Sequence, residues 1–293
     1  IPLPGDPLLT AARLGANAIV GDGFGDTVLG AASSMCIAGD EMIFAMQMDG
    51  VGSNGMMRGL FGAMRGADMP GADDITRYYT MIRRAIDDGT LPTEGSYLPY
   101  ILFTLEAALE GSAQEGIPNA FTAAIFALSF ACGAQDFGLV VGGIADADAI
   151  YGDQSWERDC REVTFNGRID SRRHFTTAAA LQSASNRGFA VSVGEFKELY
   201  DSVKSGGFDF TDIAANNSGI RLANTMMAAP AAAWPDLIAR IATENDVIVA
   251  FDGIPTIMSE TEFTATYGEV DSPAYLAQMA AIEARIDTLA LHQ

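Results

Sequence analysis

The chain has 293 residues, of which 49% are apolar and 19% are charged, so it can build a substantial core. Its 38 acidic residues against 17 basic ones give a net charge of −21. Because a polyanion repels phosphate groups, this charge argues against nucleic acids and anionic lipid surfaces as partners. It favours divalent cations, basic partners or a saline environment, and a salt-adapted proteome would produce the same balance.

The first part of the chain, residues 1–150, is rich in glycine and methionine and predicts helices, with a few strands as further candidates. The apolar run at residues 120–134 is too short for a membrane span, so we interpret it as a buried helix and expect no span. The helix candidates are, in chain order, residues 6–17, 72–89, 95–111 and 119–133. The strand candidates are residues 41–49, which can also form a short helix, and 137–144.

The second part, residues 151–293, predicts a largely helical unit. Its helix candidates are residues 171–187, 191–205, 210–228, 230–244 and 272–291, with a short strand, DVIVAF, at 246–251. The fold class is therefore mainly α, with a helical C-terminal part and a smaller α+β or irregular N-terminal part. We expect the two parts to share one core and to meet near residues 146–165.

Three cysteines permit one disulfide. Cys132 lies in the apolar run, which is typical of a small buried side chain that forms no disulfide. The expected pair is therefore Cys36 with Cys160. No cysteine or histidine spacing predicts a zinc site. The first residues, IPLPGDPLL, fit a terminus left after signal cleavage or any other chain boundary.

A histidine and several carboxylates are the strongest candidates for chemistry. The chain has two histidines, and only His174 lies away from the C-terminus. It falls in the first turn of one predicted helix, Glu198 and Asp201 fall on the next, and Asp212 falls in the first turn of a third. A hairpin of these three helices would bring His174, Glu198 and Asp212 together.

Three interpretations of this cluster stay open. It can be a buried polar group that ties the helices together, since polar side chains in a core must find partners. It can be a site for Ca²⁺, Mg²⁺ or Zn²⁺ with His174, Glu198, Asp201 and Asp212 as ligands. It can also be an acid–base pair in which His174, Glu198 and Asp212 are catalytic.

The segments RRHFTTAAAL, GEFKELYDS and GFDFTDIAANNSG resemble a pattern in uncharacterised bacterial envelope proteins. The resemblance covers residues 158–291 and includes YGEVDSPAY before the last helix. It implies an envelope location and no assigned activity. Asn216 and Asn217 stand where the pattern has a charged residue. The signature positions it implies are His174, Lys197, Glu198, Asp201 and Asp212.

A shorter resemblance lies near the start of the chain. AARLGANAIVGDGF is similar to a helix-to-strand step in small pentamer-forming bacterial proteins, over about a dozen residues. After Gly21 the sequence departs towards acidic residues and glycine.

Two functions follow from these observations. The first is a non-catalytic periplasmic or extracellular protein that is structural or binds a protein partner or itself, alone or as a subunit of a larger assembly. The second is a metal-dependent or acid–base hydrolase built on the His174 cluster. The chain has no G-x-S-x-G, P-loop or dinucleotide-binding motif, which favours the first. The cytoplasm of a salt-adapted organism is the alternative location.

Overall fold

The protein is described by a computed structural model. It describes residues 70–133, 160–184, 208–269 and 272–293. Of these residues 70% are helical, which confirms the mainly α fold class. The elements predicted before residue 70, the strand at 137–144 and the helix at 191–205 lie outside the described residues, as does the part of the predicted boundary from 146 to 159.

Three consecutive helices form the first described range, residues 70–133: α1 (Ala72–Asp87), α2 (Leu98–Glu115) and α3 (Ile117–Cys132). Gly116 alone connects α2 to α3, and its φ of 77° allows the sharp change of direction. Every residue of α3 from 120 to 132 is buried, which confirms that the apolar run is a buried helix. In the part of the chain that the structure covers, no helix has both the length and the apolar character of a membrane span.

Two further helices, α4 (Ile169–Ser183) and α5 (Phe210–Ala228), pack closely against each other. His174 forms a hydrogen bond with Asn216, and Gln182 donates one to Asn224. In each pair the two residues are 42 positions apart in sequence. Because the offset is the same at two places along the pair, α4 and α5 run parallel and in register. Their N-termini therefore lie side by side.

Two short strands, β1 (Glu94–Ser96) and β2 (Glu162–Thr164), pair in parallel with Glu94 opposite Glu162. Neither was predicted. The strand predicted at residues 246–251 is wrong: its first residue, Asp246, ends a 3₁₀ turn, and the rest is irregular chain. Its Val247, Ile248 and Val249 are nevertheless buried in the core. A short buried apolar run fits a strand and a packed loop equally well, which explains the error.

The chain ends in three shorter helices: α6 (Trp234–Ala239), α7 (Glu260–Tyr267) and α8 (Pro273–Ile286). The predicted helix at 230–244 shrinks to α6 between two 3₁₀ turns, Ala231–Ala233 and Glu244–Asp246. α7 was not predicted, although Ser259 and Glu262 form a capping box at its start. A last 3₁₀ turn, Ala290–His292, follows α8.

The described residues form two adjoining apolar clusters. The larger one joins α1, α2 and α3 to α4 and α5, so residues on both sides of position 150 share it. The smaller one combines aromatic and aliphatic side chains and lies where α5 begins, against α7 and α8. Its ring contacts join Phe208, Phe210, Phe263, Tyr267 and Tyr275.

A disulfide joins Cys132, the last residue of α3, to Cys160, just before β2, with their Cα atoms 5.3 Å apart. The predicted pairing of Cys36 with Cys160 is therefore wrong. Cys132 is buried as expected, with 2% of its surface exposed, but Cys160 is equally buried beside it. Burial of a cysteine in an apolar helix therefore does not exclude a disulfide bond. Cys36 lies outside the described residues.

Candidate functional site at the paired helix starts

The parallel arrangement of α4 and α5 brings two helix N-termini to the same edge of the molecule. Asp209 is the N-cap of α5 and accepts a hydrogen bond from the backbone N–H of Thr211, at 2.8 Å. Asp170 and Asp212 lie in the first turns of α4 and α5. Since the start of a helix carries a partial positive charge, each carboxylate is favoured where it stands. Two aligned starts therefore gather three carboxylates.

Arg168, the N-cap residue of α4, lies among these carboxylates. Its Nη2 donates to Asp170 at 2.7 Å, to Asp209 at 3.1 Å and to Asp212 at 3.4 Å. Its Nε donates to the other oxygen of Asp170 at 2.9 Å, which makes that pair bidentate. The hydrogen bond that Arg168 donates to Asp170 raises the pKa of Arg168 above its already high value, so the guanidinium stays charged.

The carboxylates on either side of Arg168 are held in their ionised form. Burial on its own would raise the pKa of Asp170 and of Asp209. For Asp170 the hydrogen bonds and charge of Arg168 outweigh burial and lower the pKa. For Asp209 the hydrogen bonds from Thr211 and then from Arg168 do so. A general acid needs a carboxyl whose pKa is raised towards neutrality, and these two groups have the opposite shift.

His174 lies one turn further along α4. Its Nε2 lies 3.2 Å from Oδ2 of Asp212, and its Nδ1 lies 3.2 Å from Oδ1 of Asn216. Only 11% of the histidine side chain and 14% of the Asp212 side chain are exposed. Both ring nitrogens therefore face protein groups, whereas a general base needs one of them to face a substrate.

Two threonine hydroxyls also donate hydrogen bonds to Asp209. Thr211 Oγ1 donates to Oδ1 of Asp209 at 2.6 Å, and Thr256 Oγ1 donates to Oδ2 at 3.0 Å. Thr256 comes from the loop before α7, so this contact joins a third part of the chain to the two helix starts. Asp209 is 4% exposed and has a donor on each oxygen.

Of the residues that the sequence singled out, the structure brings His174 and Asp212 into contact. Glu198, Asp201 and Lys197 lie outside the described residues. Arg168, Asp170 and Asp209 are not among the residues that the sequence singled out. Asn216 was singled out because it stands where the resembled pattern has a charged residue. Its spacing of four residues from Asp212 places both on one face of α5.

No group of three histidine, cysteine or carboxylate side chains within the described ranges is arranged to hold a metal ion. The chemistry of the cluster agrees with this finding, because the carboxylates converge on a guanidinium. Arg168 supplies the positive charge that a divalent cation would otherwise bring. Comparison with family models, with curated proteins and with solved structures found no match to the chain.

Proposed function

We propose that the protein is a non-catalytic structural or partner-binding protein, and that the cluster of Arg168, His174 and Asp212 holds α4 and α5 together. The observation that carries the proposal is the guanidinium of Arg168 among three carboxylates, at 2.7 to 3.4 Å. A guanidinium held this way fixes the starts of α4 and α5 relative to each other.

The enclosure of the cluster supports the same proposal. Asp209 is almost fully buried with a hydroxyl donor on each oxygen, and His174 has a protein group at each ring nitrogen. Catalytic groups instead need a face that opens to a substrate. A buried polar network of this kind fixes the relative position of its helices, because any displacement leaves charged groups unpaired.

We propose a periplasmic or extracellular location for the protein. The disulfide between Cys132 and Cys160 supports this location, since disulfides persist in oxidising compartments. We propose a protein partner with a basic surface, because the net charge of −21 attracts basic groups and repels the phosphates of nucleic acid.

The test is thermal unfolding of the wild type, His174→Ala and the control Arg173→Ala. Each is measured with EDTA and with added Ca²⁺, Mg²⁺ or Zn²⁺. Arg173 neighbours His174 on α4 and is exposed, so its variant controls for changes in helix propensity and net charge. We expect His174→Ala to melt several degrees below both other proteins, with no effect of any ion.

The contrary result is equally clear. If an ion raises the Tm of the wild type and of Arg173→Ala by several degrees and leaves His174→Ala unchanged, His174 is a metal ligand, because ligands that bind only the folded state stabilise it. The proposal that the cluster holds α4 and α5 together without binding a metal would then be wrong. The metal-dependent hydrolase would replace it.

A further inference from the structure

The last residues of the chain fold back onto α5. The 3₁₀ turn Ala290–His292 follows α8, and Leu291 is completely buried in the larger apolar cluster. His292 Nδ1 lies 2.9 Å from Oγ1 of Thr225 on α5. Gln293 donates to the backbone oxygen of Asp287 and accepts from Arg240. Residues 287–293 thus form a short latch that is closed against α5.

The surroundings of His292 suit a neutral imidazole. Its Nε2 is buried and has no hydrogen-bond partner, so a proton added there would find no acceptor. The charged groups that face it are Arg221 from α5 and Asp287 from the end of α8. Arg221 contacts Asp287 at 2.5 Å and Glu283 of α8 at 3.2 Å, which engages both carboxylates. From α6, Arg240 reaches the neighbouring Gln293.

We propose that residues 287–293 are an acid-opened latch, in which protonation of His292 releases the segment from α5 and exposes Leu291. The latch is independent of the function proposed above. Burial first, and then the charge of Arg221, lower the pKa of His292 to about 4, against the smaller opposite effect of Asp287. In a released segment an unperturbed histidine titrates near 6.5.

The direction of the pH dependence follows from these values. The closed latch favours the neutral imidazole, so its stabilisation is complete above the pKa of the released state, about 6.5. It is lost progressively as the pH falls from about 6.5 towards 4. The opening therefore falls in a mildly acidic range, above the range in which Asp170 and Asp209, whose pKa is lowered, become protonated.

The experiment is backbone hydrogen exchange of the whole chain at pH 7.0, 5.5 and 4.5, expressed as protection factors so that intrinsic rates cancel. For the wild type we expect protection of residues 288–293 to fall at least about tenfold between pH 7.0 and 4.5. Protection of α1 should stay constant over the same range. In His292→Gln, which keeps a polar side chain but cannot titrate, protection of the segment should not change with pH.

A second variant keeps the test decisive if His292→Gln docks poorly. Arg221→Gln removes the nearby guanidinium, so the pKa of His292 should be lowered less and the latch should stay closed to lower pH. Equal loss of protection in the wild type and His292→Gln, or constant protection in the wild type, would overturn the proposal. So would an Arg221→Gln variant that opens at higher pH than the wild type.

Discussion

Gly219 of α5 lies against the backbone carbonyl of Phe175 on α4, so closely that a Cβ atom on Gly219 would come within 2.1 Å of the Phe175 oxygen. Contact with a backbone atom cannot be relieved by rotating a side chain. The close approach of the two helices therefore depends on glycine at this position. The same approach sets the distances between His174 and its partners Asp212 and Asn216.

Replacing Gly219 with alanine should push α4 and α5 apart and lower the free energy of unfolding by about 3 kcal/mol. Urea denaturation monitored by circular dichroism measures the change. Gly71→Ala is the control, because a Cβ there meets nothing nearer than Asp74 Oδ2 at 3.6 Å. We expect the control to lose less than about 1 kcal/mol. Equal losses in the two variants would show that the helix contact is not tight.

Arg168→Met should destabilise the protein by about 2 kcal/mol, because it leaves the buried Asp209 without its cationic partner. The figure is below that for a fully buried pair, since 27% of the Arg168 side chain is exposed. Arg161→Met is the matched control. The Arg161 side chain is 75% exposed, and its ion pair with Glu162 is long, at 3.8 Å. The control should change stability by less than about 0.5 kcal/mol. An equal effect of both substitutions would show that the ion pairs of Arg168 contribute no more to stability than those of an exposed arginine.

The carboxylates beside Arg168 predict a second, lower pH range of instability. The pKa of Asp170 and of Asp209 is lowered in the folded protein. Their stabilisation is therefore present above the unfolded value of about 3.9 and is lost as the pH falls through the folded values. Urea midpoints measured from pH 5 to pH 2 should fall steeply below about pH 4. The slope should flatten in Arg168→Met, and an unchanged slope there would contradict the assignment.

Removal of the disulfide should lower the free energy of unfolding by about 3.5 kcal/mol, because the bond closes a loop of 28 residues in the unfolded chain. The variant is Cys132→Ala with Cys160→Ala, compared with Cys36→Ala under non-reducing conditions. The Cys36 variant should retain the stability of the wild type. Thiol titration of the denatured wild type should find one free thiol per chain. Three free thiols would show that the bond does not form.

The helices were predictable because their signals are local. In α1 the buried side chains Ile75, Tyr78, Ile82 and Ile86 recur at helical spacing. The helix predicted at 210–228 has the bounds of α5, whose N-cap is Asp209. The strands were not predictable in this way. Each has three residues, and its pairing partner lies 68 positions away.

The cluster at the helix starts likewise contains some residues that the sequence could predict and others that it could not. His174 and Asp212 attract attention by residue type and by position in a first turn. Arg168 becomes central only when α4 and α5 are parallel with their starts aligned, and that is a property of tertiary packing. The 42-residue offset between the helices leaves no periodic trace in the sequence, so the partner Asn216 could not be assigned to His174 beforehand.

The disulfide also bears on the order in which the chain folds. Pairing of β1 with β2 closes a loop of 68 residues, from Glu94 to Glu162. With Cys132 already bonded to Cys160, the shortest covalent path between the strands falls to about 40 residues. Loop-closure entropy scales with the logarithm of length, so this shortening makes the encounter of the strands only about twofold more probable. Oxidation before or after strand pairing should therefore give nearly the same folding rate. The bond acts chiefly by restricting the unfolded chain.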